Sequence, residues 1–254
     1  MVFHCAGEVS NELGMRQLHV NGTQYLLNAV MEEARKRKKT IHWVQLSSVG
    51  VYGKPKGKAN TQRTVTEQTS VHPKGEYEIT KAISDALVIK ASASGLITYS
   101  ILRPSNVFGA DMPNQSLKVL GRMVNNKMFF YIGSSGAIAT YIHVDDVVKA
   151  LLLCATSENA KNMVFNVSND CLLEDMINGM ARALSTPVPK LRVPEFFIRF
   201  TVKLLSVFTS FPLTNSRIDA LVARTHYSND LIEEKLNFST QMGIPQTIRE
   251  VIES

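Results

Sequence analysis

The sequence is poor in cysteine and aromatic residues, and it has no long uncharged apolar run. Its three cysteines, Cys5, Cys154 and Cys171, are odd in number and lack the spacing of a metal site. We therefore expect reduced thiols that pack as small hydrophobic side chains, no metal site, and a cytoplasmic protein. The opening MVFHCAG carries no basic leader and no long apolar region, so no signal peptide is expected.

The most apolar stretch, residues 195–214, reads EFFIRFTVKLLSVFTSFPLT. Arg199 and Lys203 interrupt it, and the uncharged remainder is shorter than the ~20 residues that a spanning helix needs. The pattern therefore predicts no transmembrane segment. A buried or subunit-facing helix is one interpretation, and contact with a membrane surface or a lipid-like substrate is the other.

Basic residues outnumber acidic ones, which gives a net charge of +6 and a pI near 9.2. Such a balance favours acidic small molecules or an anionic surface as partners. The dense basic run at residues 35–39 lies where a helix should end, and it has no interleaved aromatic residues for base stacking. Nucleic acid is therefore not an expected partner.

The 254 residues are 44% hydrophobic, and short apolar runs alternate with longer amphipathic ones, which predicts an α/β fold with a parallel sheet covered on both faces. The predicted strands are residues 1–5, 41–46 and 96–102, and the predicted helices are residues 15–34 and 75–94.

After Gly109 the pattern predicts a helix over 114–126, a short FFYIG strand, and a helix that begins in TYIHVDDVVKALLLC with Asp145 as its N-cap. His143, Asp145 and Asp146 could instead form a metal site, but a capped helix is favoured. The run MVFNV at 163–167 could return to the main sheet, and the remainder predicts a smaller, mostly helical lobe.

Tyr77 and Lys81 lie four residues apart in GEYEITKAISDALVIK, and Ser48 ends the apolar run in HWVQLSSVGVYG. On a helix this spacing places the phenol and the ammonium on one face, one turn apart. A phenol titrates near pH ~10, so a nearby cation is what would make it a proton acceptor at neutral pH. These three residues are typical of hydride-transfer chemistry.

A second pair with the same spacing, Tyr52 and Lys56, has no such context. Gly53 and Pro55 lie between its members and forbid a regular helix. The spacing alone is therefore weak evidence, and the apolar helical stripe after Tyr77 distinguishes the two pairs.

Six segments, in order, resemble the extended short-chain dehydrogenase/reductase family, specifically its NAD-dependent epimerase/dehydratase group. They are HCAG, HVNGTQYLLNA, QLSSVGVYG, YEITK, LRPSNVFG and YIHVDDVVKAL, which together span residues 1 to about 170. The resemblance implies a Rossmann-like, doubly wound parallel sheet and the cofactor NAD or NADP.

The resemblance also implies a role for each matching residue. Catalysis falls to Ser48, Tyr77 and Lys81, and Ser48 and Asn106 contact the substrate. The implied cofactor-binding residues are Cys5, Ala6, Gly7, Tyr77, Lys81 and Pro104. It further implies a homodimer when the protein is full length.

The family's Gly-rich pyrophosphate turn and its ribose-reading acidic residue have no counterpart in the chain. We therefore expect a partial sheet that lacks the family's first strands, either as a fragment or through a misplaced start. This expectation predicts that the polypeptide alone binds NAD poorly and aggregates or dimerises.

Two further departures bear on the reaction and the substrate. Val49 and Gly50 stand where the family's sugar dehydratases carry acidic residues, which disfavours dehydration. Ala139 stands where many UDP-sugar epimerases have a phosphate-pairing arginine, and His19 replaces a usual asparagine. Three other arginines could supply the phosphate-pairing cation instead: Arg122, Arg217 and Arg224.

The favoured interpretation is an NAD(P)-dependent epimerase or oxidoreductase that acts on a nucleotide-sugar hydroxyl. The alternatives are a dehydrogenase or reductase of a less polar alcohol, of the hydroxysteroid or dihydroflavonol type, and a truncated non-catalytic remnant. Residues 1–110 and 145–170 would form the partial dinucleotide-binding domain. Residues 111–144 and 171–254 would form the substrate-binding lobe.

Overall fold

A four-stranded parallel sheet forms the centre of the fold in the computed structural model, which describes residues 1–55, 57–110, 116–205 and 214–253. Its strands are β1 (Val2–His4), β2 (Ile41–Leu46), β4 (Ile97–Pro104) and β9 (Met163–Val167). Their order is β1-β2-β4-β9, with every neighbouring pair parallel. The prediction that residues 163–167 return to the main sheet is therefore confirmed.

Helices cover both faces of this sheet. They are α1 (Glu12–Met15), a π-helical segment (Arg16–Gly22), α2 (Thr23–Arg37), α3 (Glu76–Ser92), α5 (Val144–Thr156) and α9 (Asp230–Leu236). Adjacent strand residues face opposite ways, so Trp43 packs in the cluster with α2 and α3 while Val44 packs in the cluster with α5 and α9. The near-continuous hydrophobic strands follow from this burial on both sides.

The remaining elements include short two-stranded ladders and a second group of helices. The strands are β3 (Gln62–Val65), β5 (Asn106–Phe108), β6 (Tyr131–Ile132), β7 (Ile138–Ala139), β8 (Tyr141–His143), β10 (Cys171–Leu172), β11 (Arg192–Val193) and β12 (Arg224–Tyr227). The helices are α4 (Ser116–Asn125), α6 (Leu173–Ala183), α7 (Glu195–Leu205), α8 (Asn215–Val222) and α10 (Ile244–Glu253). Two short 3₁₀ turns span Val49–Tyr52 and Glu158–Ala160.

Helices α4, α6 and α10 share a hydrophobic cluster of their own, which includes Leu117, Met176 and Ile248. The helix predicted over 114–126 is present from Ser116, and residues 114 and 115 lie outside the described residues. The predicted FFYIG strand is reduced to the two residues of β6.

The predicted N-cap of α5 is wrong. His143 occupies that position, and its Nδ1 accepts a hydrogen bond from the Asp145 backbone N–H at 3.2 Å. The Asp146 carboxylate instead accepts hydrogen bonds from the backbone N–H groups of Gln241 and Met242. Within the described ranges, no group of three or more His, Cys, Asp or Glu side chains is placed to hold a metal ion.

Part of the apolar 195–214 stretch forms α7, and residues 206–213 lie outside the described residues. Among the helices that are described, none combines the length and the apolar character needed to cross a bilayer.

Candidate active site

The carboxyl ends of three neighbouring parallel strands bring the predicted site residues to one edge of the sheet. Residues 5–7 follow β1, Ser48 follows β2, and Pro104 is the last residue of β4. In open α/β sheets this edge is where ligands bind.

Ser48 caps the 3₁₀ turn after β2, and this turn directs its hydroxyl toward α3. Its Oγ accepts a hydrogen bond from the Gly50 backbone N–H at 3.1 Å, and the Ser48 hydroxyl is close enough to the Tyr77 phenol to oppose the rise in its pKa. A Cβ atom on Gly50 would stand 3.3 Å from Ser48 Oγ, so a side chain there would crowd the hydroxyl. The structure therefore brings Ser48 and Tyr77 together.

Lys81 lies one helical turn beyond Tyr77 and is 5% exposed. Its Nζ donates a hydrogen bond to the Leu46 carbonyl oxygen at 3.0 Å, at the end of β2. A Cβ atom on Gly7 would stand 3.5 Å from the same Nζ, so the ammonium lies against the loop after β1. Burial lowers the pKa of Lys81, although the Asp85 carboxylate opposes that shift.

The pKa of Tyr77 is raised rather than lowered, which is opposite to the direction expected from Lys81. Burial is the main cause of the raised pKa, the nearby Ser48 hydroxyl opposes it, and the Asp85 charge adds to it. The phenol is half-buried. Because Asp85 lies one turn beyond Lys81, its carboxylate counters the cation expected to stabilise the phenolate.

The other predicted residues lie around this centre. The Asn106 amide donates to the Thr140 carbonyl oxygen at 2.9 Å, and Asn106 lines the same cavity as Gly50 and Glu78. Cys5 and Ala6 are exposed residues, although partial burial of the Cys5 sulfur raises the pKa of its thiol. Pro104 is buried opposite Val167 of β9.

A cavity of about 950 Å³ is lined by Gly50 and Glu78, the near neighbours in sequence of Ser48 and Tyr77, but Ser48, Tyr77 and Lys81 are not among the described residues that line it. The described charged side chains that line it are Lys54, Lys58, Lys74, Glu78, Glu195, Arg199 and Asp219. Arg199 donates to Glu195 Oε1 and to Asp219 Oδ1, each at 2.8 Å. This arginine, which the sequence marks only as an interruption of an apolar stretch, therefore lies at the cavity.

The three arginines proposed as substitute cations are not among the described residues that line the cavity. Arg224 donates to Ser134 Oγ and to the Ser135 carbonyl oxygen. Arg122 Nε donates to the Lys118 carbonyl oxygen at 3.4 Å on its own helix.

Tyr52 of the second Tyr-x-x-x-Lys pair has a structural role. It is fully buried, and its hydroxyl donates to Asn166 Oδ1 at 2.8 Å. Gly53 ends the turn with φ +65°, and a Cβ atom there would lie 2.0 Å from the His72 carbonyl oxygen. Lys56 lies outside the described residues.

His19 joins α3 to the loop after β1, a role that the sequence does not reveal. Its Nε2 accepts from the Glu8 backbone N–H at 2.8 Å, so the neutral ring carries its proton on Nδ1, which lies 2.8 Å from Thr80 Oγ1. The ring edge meets Tyr77, with 5.6 Å between centroids. The π-helical segment is what places this side chain inward.

Acid is expected to destabilise the protein partly through His19. Burial, followed by the Lys81 and His4 charges, lowers the pKa of His19 to about 4, against a value of about 6.5 when unfolded. Between these values the unfolded chain binds more protons, so stability falls as pH falls from about 6.5 toward 4. The free energy of unfolding should therefore be lower at about pH 4.5 than at about pH 7.5. We expect His19→Asn to reduce this difference by on the order of 2 kcal/mol, measured by denaturant unfolding at both pH values.

The unsubstituted chain, unfolded in denaturant at the same two pH values, is the reference for this variant. Equal pH dependence in the His19→Asn variant and the unsubstituted chain would contradict a neutral, buried His19.

A buried polar network lies behind the site. The Asp85 carboxylate accepts from Ser47 Oγ at 2.8 Å and from Arg103 Nε at 3.1 Å, with Arg103 Nη2 at 3.0 Å. Arg103 Nη1 also donates to the Tyr52 hydroxyl at 2.9 Å. The network ties α3 to β2, β4 and the turn after β2, and so fixes the helix that carries Tyr77 and Lys81.

Comparison with known proteins gives one family and one fold. A model of the NAD dependent epimerase/dehydratase family matches residues 1–168. Among curated proteins, the chain is 25% identical over 283 residues to 3beta-hydroxysteroid-dehydrogenase/decarboxylase isoform 1 of Arabidopsis thaliana. That match covers 100% of the chain and 62% of the relative, so the chain spans less than two thirds of the relative's length.

Solved structures share the fold at low identity. UDP-glucuronic acid 4-epimerase from Bacillus cereus, in complex with NAD, superposes with a TM-score of 0.71 and 15% identity, covering 99% of the chain and 72% of that structure. RMD from Pseudomonas aeruginosa, complexed with NADPH, gives a TM-score of 0.70 and 17% identity, covering 99% and 80%.

Proposed function

The chain belongs to the NAD-dependent epimerase/dehydratase family, and from that premise we propose that it oxidises and re-reduces a hydroxyl group of a nucleotide sugar. The observation that carries the proposal is the Ser48 hydroxyl close to the Tyr77 phenol, with the Lys81 ammonium one turn away at the carboxyl edge of the sheet. The cavity of about 950 Å³, which Gly50, Glu78 and Asn106 line, supplies the substrate site.

The cofactor is NAD or NADP, and the residues around Lys81 fit it. A Cβ atom on Gly7 would stand 3.5 Å from Lys81 Nζ and 3.7 Å from His19 Nε2, so the absence of a side chain leaves the loop open beside the ammonium. Lys81 would bind the nicotinamide ribose, with residues 5–7 and Pro104 lining the site. When bound, the dinucleotide supplies the hydride acceptor and donor.

The chain's own residues handle the proton. Tyr77 Oη would remove the proton from the substrate hydroxyl while hydride leaves the carbon that bears this hydroxyl. Ser48 Oγ would hydrogen-bond the reacting oxygen. Lys81 is the cation that would stabilise the phenolate, against burial and the Asp85 charge, both of which raise the pKa of Tyr77. In an epimerase the ketone would then rotate within the cavity. Hydride would return to the other face of its carbonyl carbon, and the proton would return to its oxygen.

Charge in the cavity supports an anionic, polar substrate. The cations Lys58 and Lys74 line the cavity and suit the diphosphate of a nucleotide sugar, whereas Lys54 and Arg199 already face Asp219. Val49 and Gly50 follow Ser48, and neither can move a proton, which favours epimerisation or oxidation over dehydration.

A second candidate is oxidation or reduction of a less polar alcohol. Ala139, which is buried in β7, supplies no phosphate-pairing cation, and Arg199 is already paired with two carboxylates. Resemblance to the Arabidopsis relative, whose name gives a hydroxysteroid substrate, points the same way.

Turnover of UDP-hexoses tests the proposal. With NAD in large excess, because weak NAD binding is expected of the chain, we expect it to interconvert two epimers without net formation of reduced nicotinamide, as measured by chromatography and absorbance. Lys58→Ala combined with Lys74→Ala should raise KM about three- to fivefold, because each lysine contributes a solvent-screened charge contact to the diphosphate. Lys90→Ala, an exposed change outside the cavity lining, should leave KM unchanged.

Stoichiometric change of NAD(P)H with a hydroxysteroid, and no conversion of any UDP-hexose, would replace the first candidate with the second. Absence of turnover with both classes in a folded chain would favour the non-catalytic remnant.

A further inference from the structure

Helix α7 (Glu195–Leu205) exposes a continuous apolar face. The side chains of Phe196, Phe197, Phe200 and Leu204 are between 55% and 73% exposed. Three of them repeat at four-residue intervals, which places them along one side of the helix, and the Phe196 and Phe200 rings stack with 6.3 Å between centroids. Contiguous exposed apolar surface of this kind marks an interaction site.

The opposite side of α7 is firmly docked, so the apolar face is held outward by packing. Val202 is buried in a cluster with Ile132 and Ile218, and Ile198 packs against that cluster. The helix is also anchored by Arg199, whose guanidinium pairs with Glu195 and Asp219.

When the side chains in ion pairs are set aside, the charged side chains near this face are basic. Glu195 and Asp219 are both engaged by Arg199, and Asp219 also lies 3.5 Å from Lys54 Nζ. The exposed Lys58 lines the cavity together with Phe196, and the exposed Lys190 precedes the helix by five residues. Aromatic side chains beside lysines match the interface of a bilayer that contains anionic lipid.

A second copy of the chain fits this face less well than a lipid surface. Each copy would bring the same lysines and a net charge of +6 to the contact, so self-association would place like charges together. An anionic bilayer neutralises those charges and buries the phenylalanines at the same time.

We propose that the α7 face of Phe196, Phe197, Phe200 and Leu204 binds the surface of an anionic lipid bilayer. Because Phe196 also lines the cavity, bilayer contact sets the cavity mouth at the lipid surface. This surface role stands apart from the proposed catalysis, since neither Phe197 nor Phe200 is among the described residues lining the cavity.

Co-sedimentation with vesicles tests the proposal. We expect the chain to bind vesicles of phosphatidylcholine containing phosphatidylglycerol more strongly than vesicles of phosphatidylcholine alone, and added salt should weaken binding. Combining Phe197→Ser with Phe200→Ser should reduce the partition coefficient by at least about tenfold, because each change removes a large apolar contact.

A matched pair of single variants controls for general loss of apolar surface. Leu204 on α7 and Leu152 on α5 are both 55% exposed. Leu204→Ser should weaken vesicle binding and Leu152→Ser should not, while both keep the thermal unfolding midpoint of the unsubstituted chain.

Two outcomes would overturn the proposal. One is vesicle binding that is absent or equal in all variants. The other is self-association that depends on concentration, is seen by analytical ultracentrifugation and is abolished by the Phe197 and Phe200 changes, while no variant binds vesicles. A second copy of the chain would then be the occupant of the face. UDP-hexose turnover is measured on the same samples, so failure of the catalytic proposal is scored separately.

Discussion

Tyr77→Phe is expected to lower kcat by about 10²–10⁴-fold, because the variant loses the group that exchanges a proton with the substrate hydroxyl. Tyr77 carries the phenol close to the Ser48 hydroxyl, on the helix turn before Lys81. The change removes one oxygen atom and keeps the ring that packs edge-on against His19. Stability should therefore fall by only about 1 kcal/mol, the usual cost of one lost hydrogen bond.

Kinetics and unfolding must be measured on the same variant for this prediction to be decisive. Tyr25→Phe is the matched control, since Tyr25 is 72% exposed on α2 and should tolerate the same change with full activity. If Tyr77→Phe keeps its kcat, or loses it only by unfolding, Tyr77 is not the proton-exchanging group.

The elements that carry Ser48, Tyr77 and Lys81 could be predicted from the sequence because their patterns are local. The apolar run at 41–46 coincides with β2, and the helix predicted over 75–94 is present as Glu76–Ser92. A strand buried on both faces and a long amphipathic helix both leave a strong hydrophobic pattern. The parallel order then brings their ends together at one edge.

The contacts between those elements could not be predicted, because no local pattern records which distant side chains pair. The Asp85–Arg103 and Tyr52–Asn166 contacts join residues that are 18 and 114 positions apart. One signal for Asp85 was present, since it lies four residues after Lys81 on a predicted helix. It implied a shared face, but not that the carboxylate would raise the pKa of Tyr77.

The helix starting near residue 144 shows a second limit. Asp145 is a favourable N-cap residue type, yet His143 caps the helix. Residue preference identifies the kind of group that satisfies exposed amides, whereas the actual start depends on strand β8, which runs to His143.

Removal of one partner from the buried ion pair should cost far more stability than removal from an exposed pair. Asp85 is 2% exposed, and its Oδ1 has no hydrogen-bond partner among the described residues. Arg103→Met would leave this carboxylate buried without its guanidinium, and we expect a loss of about 3–5 kcal/mol in the free energy of unfolding. Arg16→Met, at the partly exposed pair with Glu76, should cost less than about 1 kcal/mol.

The pH dependence of unfolding identifies the uncompensated charge as the cause. Burial raises the pKa of Asp85, while the Arg103 charge and the hydrogen bonds from Ser47 and Arg103 oppose the rise. Without Arg103 the pKa should rise further above the unfolded value, so the folded variant binds more protons and loses stability as pH increases. Denaturant unfolding should therefore show a larger deficit at about pH 8 than at about pH 5.

Adding Asp85→Leu to Arg103→Met should recover much of the lost stability and remove that pH dependence, because neither charge then remains buried. The Tyr52 hydroxyl keeps its hydrogen bond to Asn166 in the double variant. A double variant as unstable as Arg103→Met, with an unchanged response to pH, would attribute the loss to packing of the arginine side chain against Tyr52 instead.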